Sequence, residues 1–270
     1  MKTYLSVGIG DMVFLDSILT LEEKSTISEI YWACRFGRCL IPLLENNPDY
    51  PNLTSQYVID DEIGKQAMAS LDPVAIPFWH FRPDFSRNYQ VGLNLFGMNQ
   101  NEVQAVDAAG CFIDTTRGFV GSSFIKNAKP VEFKDYIVFH YPTSTRPRSD
   151  IATISSDDWA FIDNLSKEKN LKVVVISDCG INIPLSNYEH LINPDISYIV
   201  DLIASCDYYA GCDSFCAHLA SKVLAKENLF IKSHESNITN KLLTTTFARA
   251  FLPHPPEDVA KFYKTYIGYP

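Results

Sequence analysis

Twice along this chain a short apolar run ends in a polar, glycine-containing turn that opens into a helical pattern. No other feature constrains the fold as much. The first turn is Gly8-Ile9-Gly10-Asp11, directly after the apolar stretch 2–7. The second is Gly211-Cys212-Asp213-Ser214-Phe215-Cys216-Ala217-His218-Leu219-Ala220, after 207–210. A strand that turns at once into a helix belongs to a parallel sheet, whose neighbours are joined by crossover helices. Each such turn aims backbone N–H groups and the positive end of a helix at an anion. Two of them, on consecutive α/β halves, predict a diphosphate-bearing substrate held in a cleft between domains.

The residues between the turns alternate in the same way. Stretches 2–7, 29–34 and 56–59 read as strands, and 12–21 and 37–44 as helices, the first with Asp11 as its N-cap. Residues 73–88 are rich in aromatics, prolines and arginines without clean periodicity, and read as irregular structure beside the cleft. A linker is expected over 127–134. Alternation then restarts: strands at 136–140, 172–176, 207–210 and 228–232, helices at 156–167, 197–205 and 216–224, and a polar loop at 141–150. Ser155 or Ser156 caps the 156–167 helix. A last helix is expected over 256–266, after a proline-rich turn. The expected fold class is α/β, with two Rossmann-like domains facing across a cleft and a closing C-terminal helix. The boundaries are 1–130, 131–250 and 251–270.

Charge and cysteine usage narrow the function classes. A net charge of −9 disfavours a nucleic-acid backbone as the main partner. Seven cysteines at irregular spacing do not form a disulfide framework and fit reduced thiols in the cytoplasm. The first residues do not read as a signal peptide, because Asp11 and Asp16 interrupt the apolar stretch. No apolar run is long enough to span a bilayer, so any membrane association is expected to be peripheral.

Three constellations carry chemistry. Gly8 and Gly10 let the backbone approach a phosphate or sugar, while the absence of a third glycine disfavours a nicotinamide or flavin dinucleotide. Asp11 is then either a helix cap or a carboxylate able to take a proton from an attacking hydroxyl. The second is the loop after the 136–140 strand, which offers Thr143, Ser144, Arg146 and Arg148. Hydroxyls orient a diphosphate and guanidinium neutralises its charge as it leaves. In the third, Asp213 and Ser214 open the last turn and His218 stands one helical turn beyond Ser214. Cys212, Cys216 and His218 crowd one helical turn without a fourth ligand, so no metal and no cofactor is expected. Phe78-Trp79-His80-Phe81-Arg82 reads equally as core or as a surface that stacks on sugars or bases.

These pieces, in this order, resemble the lipopolysaccharide heptosyltransferases, a glycosyltransferase family of two-domain GT-B architecture. The resemblance rests on Gly8-Ile9-Gly10-Asp11, on 136–148 followed by Trp159, and on Asp213-Ser214 with His218-Leu219-Ala220. It implies an acceptor-side domain over 1–130, a donor-binding domain over 131–250 and a terminal helix, 251–270, that packs back on the first. Asp11 would match the general base. Thr143, Ser144 and one of Arg146 or Arg148 would match the phosphate-contacting loop, and Asp213 and Ser214 the residues touching donor sugar and diphosphate. The implied reaction is transfer of a sugar from a nucleotide-diphosphate donor to a hydroxyl of a glycan or glycolipid, inverting and metal-independent. Phe215 stands where the family prefers glycine, and Asp178 is the one candidate for its ribose-binding acid. Two alternatives stay open: a phage-type glycosyltransferase acting on hydroxymethylated DNA bases, and a sugar-nucleotide-binding module without turnover. The sequence leaves the oligomeric state undefined.

Overall fold

The computed structural model describes residues 2–5, 12–13, 16–17, 19–32, 38–59, 61–69, 78–79, 121–141, 154–212 and 214–232. They fall into two compact units that divide between Ser123 and Phe124. Each is built on its own parallel sheet.

The first unit runs β1 (Lys2–Leu5), α1 (Leu21–Thr26), β2 (Glu29–Trp32), α2 (Ile41–Leu44), β3 (Ser55–Val58), α3 (Glu62–Ala69) and β4 (Phe78–Trp79). Its strands are ordered β3-β2-β1-β4. Ile30, Tyr31 and Trp32 on β2 are all buried, as expected of a strand covered on both faces. Thr20 and Glu23 form a reciprocal capping box that starts α1. Gly64 lets α3 lie against the end of β3, since a Cβ there would come within 2.0 Å of the Val58 carbonyl oxygen. β4 falls inside the stretch expected to be irregular. Its two residues pair with Tyr4 and Leu5, and so short a strand leaves no period to read.

A buried ionic network fastens distant segments of this unit together. Asp16 and Lys24 are almost fully buried and 3.0 Å apart. Tyr50 donates its hydroxyl to Asp16 Oδ1 at 2.8 Å, while the Ser122 hydroxyl and the Ser123 amide donate to Oδ2 at 3.0 and 2.7 Å. Lys24 Nζ also donates to Ser123 Oγ at 2.7 Å and to the Gly121 carbonyl at 3.3 Å. Both charges are thus saturated with partners, which is what makes their burial tolerable. Burial, with the Asp16 carboxylate beside it, keeps the Tyr50 phenol protonated well above its ordinary range.

α4 (Ser123–Lys126) begins at the division, and the second unit then runs β5 (Tyr136–His140), α5 (Ser156–Lys169), β6 (Lys172–Ser177), β7 (Tyr188–Ile192), α6 (Ile196–Ser205), β8 (Tyr208–Cys212), α7 (Phe215–Ala220) and β9 (Leu229–Lys232). The sheet order is β7-β6-β5-β8-β9. β5, β6 and β9 are near-continuous apolar runs, and Ile137, Phe139, Val173, Val175, Ala210 and Phe230 form the sheet's share of one core. Ser155 and Asp158 close a capping box at the start of α5, and Asn170 ends it in the left-handed conformation. Two differences from the sequence reading have local causes. β7 is an edge strand with exposed Tyr188 and Ile192, so it lacks the inside-outside alternation that marks a strand. α7 stops at Ala220 rather than 224, because beyond it the amides of Lys222 and Val223 bond three residues back, to the Leu219 and Ala220 carbonyls, in tighter turns.

Removing one partner of the Asp16–Lys24 pair leaves the other charge buried alone. Lys24→Met should therefore cost ~3–5 kcal/mol of stability in urea unfolding. A loss below about 1 kcal/mol, the scale of an exposed pair, contradicts this account.

Candidate functional site

The five-stranded sheet reverses its direction of growth at β5: β6 and β7 lie to one side, β8 and β9 to the other. Chains leaving the carboxyl ends of β5 and β8 therefore diverge, and the crevice outside those ends is where open α/β sheets bind ligands. The ladder sets His140, the last residue of β5, opposite Gly211 on β8.

Ser214 follows β8 and occupies the N-cap position of α7. A serine there ordinarily spends its oxygen on an amide of the first turn. Ser214 does not: its side chain makes no cap hydrogen bond. Instead its Oγ lies 3.0 Å from His140 Nδ1 and 3.5 Å from the Tyr209 hydroxyl. Gly211 makes room for this arrangement. A Cβ there would fall 2.7 Å from the Tyr209 hydroxyl and 2.9 Å from the His140 carbonyl. Tyr209 and Gly211 share one face of β8, so the missing side chain lets the phenol lean towards Ser214. Both His140 and Ser214 are half-buried.

Desolvation lowers the His140 pKa from 6.5 to about 4, so the ring is neutral at pH 7 and carries a single N–H. Burial, seconded by neighbouring Cys212, pushes the Cys216 thiol far above its ordinary range, against a smaller opposing hydrogen bond with Ser214. Cys212, Cys216 and His218 are all buried, at 8%, 3% and 4% exposure, and the two thiols serve as small core side chains.

Aromatic and ionic contacts stiffen the surrounding edge. Tyr141, just past β5, stacks on Trp159 at 5.8 Å, and Phe139 meets the same indole edge-on at 4.8 Å. Asp158 at the start of α5 pairs with Lys232 at the end of β9, both buried. At the end of β6, Ser177 donates its hydroxyl to the Cys179 carbonyl at 2.7 Å, so His190 supplies the proton of the 2.7 Å contact between Nε2 and Ser177 Oγ.

Of the residues assigned to catalysis or donor binding from the three constellations, Ser214 and His218 are described. The structure sets Ser214 at the crevice and His218, whose amide donates to the Ser214 carbonyl, in the packed first turn of α7. Gly8, Gly10, Asp11, Thr143, Ser144, Arg146, Arg148 and Asp213 lie outside the described residues, as do the 73–77 and 80–88 stretches and the 256–266 helix. Asp178 is exposed directly after β6. Sequence reasoning assigned no role to His140 or Tyr209. Their only signal was position, at the end of β5 and two residues before Gly211. Among the described residues no helix is long and apolar enough to cross a membrane.

No protein-family model matches the chain, and no curated protein matches it by sequence. Solved structures do match. The Escherichia coli heptosyltransferase WaaC with ADP superposes with a TM-score of 0.55 at 10% identity, covering 98% of this chain and 99% of that one. The dodecameric iron-containing heptosyltransferase TibC, from enterotoxigenic E. coli, in complex with ADP-D-β-D-heptose, gives 0.50 at 12% identity, covering 99% and 78%. The resemblance seen in the motifs thus extends to the fold: the chain is built like a heptosyltransferase.

The His140 environment has a measurable consequence. The unfolded chain takes up a proton on this ring near pH 6.5, and the folded chain only near 4. Between those values the unfolded state binds more protons, so this contribution to stability is full above 6.5 and is lost as pH falls through 4. His140→Asn should flatten the decline in urea-unfolding free energy between pH 7 and 4. A decline identical to wild type contradicts a desolvated His140.

Proposed function

We propose that the chain is a glycosyltransferase that moves a sugar from a nucleotide-diphosphate donor to a hydroxyl of a glycan or glycolipid. The observation that carries this reading is the pair at the ends of β5 and β8, where the hydroxyl of half-buried Ser214 meets His140 rather than capping an amide of its own helix. Its support is the fold shared with WaaC, whose structure contains ADP, and with TibC, whose structure contains an ADP-linked heptose. The donor diphosphate is assigned to the second unit: to Ser214 and the neighbouring Asp213, and to Thr143, Ser144, Arg146 and Arg148 in the sequence that follows β5. In the first sheet, β2 and β3 lie on one side of β1 and β4 on the other, and the Gly8-Ile9-Gly10-Asp11 sequence follows β1. Asp11 acts from there on the acceptor.

The reaction is a single in-line displacement. The acceptor oxygen attacks the anomeric carbon and forms the new C–O bond as the bond to the β-phosphate oxygen breaks. The nucleoside diphosphate leaves with that electron pair, and the acceptor proton passes to the Asp11 carboxylate. Guanidinium from Arg146 or Arg148 and hydroxyls from Thr143, Ser144 and Ser214 are assigned to hold the charge that builds on the leaving group. The configuration at the anomeric carbon inverts, and no metal ion is needed to complete the balance.

Two readouts test this together. ADP at a hundredfold over its dissociation constant should stabilise the protein by ~2.7 kcal/mol in thermal unfolding, with UDP and GDP as comparisons. Asp11→Asn should keep that stabilisation while lowering sugar transfer ~10²–10⁴-fold. Absence of stabilisation by every diphosphate, or loss of binding and transfer together in Asp11→Asn, contradicts the proposed roles.

A further inference from the structure

We propose that His140 is a positioning residue for the donor diphosphate: with its proton on Nδ1 it donates to Ser214 Oγ and turns the serine's single hydroxyl proton outward, onto a phosphate oxygen. The inference rests on the donor reading above and assigns a task to a residue that reading leaves idle.

The argument is one of proton counting. A serine hydroxyl has one proton and two lone pairs, and a neutral imidazole has one N–H. At 3.0 Å the His140 Nδ1 and Ser214 Oγ share one hydrogen bond, which can run either way. If the ring proton sits on Nε2, Nδ1 accepts and the hydroxyl proton is committed to the ring. Ser214 then shows only lone pairs to the crevice, which repel an anion. If the ring proton sits on Nδ1, the ring donates and the hydroxyl proton is released towards whatever lies outside. A bound phosphate oxygen therefore selects the second arrangement.

Three features of the site favour such a device. The Ser214 oxygen makes no hydrogen bond to the amides it would ordinarily cap, so its contact with His140 stands where a local bond is usual. Tyr209, held over Gly211, stands 3.5 Å from the same oxygen and offers an alternative acceptor for the proton before an anion arrives. Finally, the desolvated ring stays neutral at pH 7, which keeps the choice between the two nitrogens meaningful.

Three replacements separate this role from packing. An asparagine amide carries its N–H near the position of Nδ1, a glutamine amide nearer that of Nε2, and phenylalanine fills the ring's volume with no donor. Measured by calorimetry with ADP, His140→Asn should bind within about threefold of wild type, while His140→Phe and His140→Gln should each lose about tenfold, the scale of one hydrogen bond to a charged oxygen. Ser214→Ala should lose a similar factor, and the double variant with His140→Phe should be no weaker than Ser214→Ala alone. Nitrogen-15 shifts of the His140 ring in the ADP complex should report the proton on Nδ1. The proposal is overturned if His140→Phe, shown by its thermal transition to be folded, binds ADP like wild type. It is equally overturned if the two losses simply add, or if the ring in the complex carries its proton on Nε2. A wild-type protein that ignores ADP, UDP and GDP alike contradicts the donor reading and this inference with it.

Discussion

When the chain of the second unit leaves β5 it crosses to β6 on one flank of the sheet, and when it leaves β8 it crosses to β9 on the other. Neighbouring strands whose continuations part company leave their carboxyl ends uncovered by any connection between them. The register that sets His140 against Gly211 then decides which groups face that opening, and the glycine decides how near the two backbones can come. A methyl group at Gly211 would meet both the Tyr209 phenol and the His140 carbonyl, displacing the residues that hold the Ser214 hydroxyl. The candidate chemistry of this protein depends on that meeting of two strands.

The two units use buried charge in the same way, to fasten pieces that are far apart in sequence. Asp16 and Lys24 tie the early helical residues to Tyr50 and to the 121–123 segment. Asp158 and Lys232 join the start of α5 to the last described strand. Such pairs add little net stability compared with apolar packing, because desolvation consumes most of their attraction. Their value is geometric, since each carboxylate is satisfied only when several separate segments are in place. In the second unit the fastened element is α5, which carries Trp159 against Tyr141 at the edge of the candidate site.

Much of the fold was legible because apolar runs and turn chemistry are local. β5 is bounded from sequence as it is found, and α5 is read from Ser156 with Ser155 or Ser156 as its cap; the structure makes Ser155 the cap, in a capping box with Asp158, and carries the helix on to Lys169. Elements without a local signal were missed. β7 is exposed, β4 is two residues long, and α3 contains Gly64, which disfavours a helix until tertiary packing against Val58 requires it. The candidate site divided along the same line. Ser214 could be named because it opens a strand-to-helix turn. Its partner could not, because His140 lies 74 residues away and only the parallel register brings them together.

A crystal structure with bound ADP tests the central claim most directly. The account predicts the diphosphate outside the carboxyl ends of β5 and β8, with a phosphate oxygen within hydrogen-bond reach of Ser214 Oγ and His140 Nδ1 still on that hydroxyl. A nucleotide bound elsewhere, with the His140–Ser214 pair untouched, would contradict it.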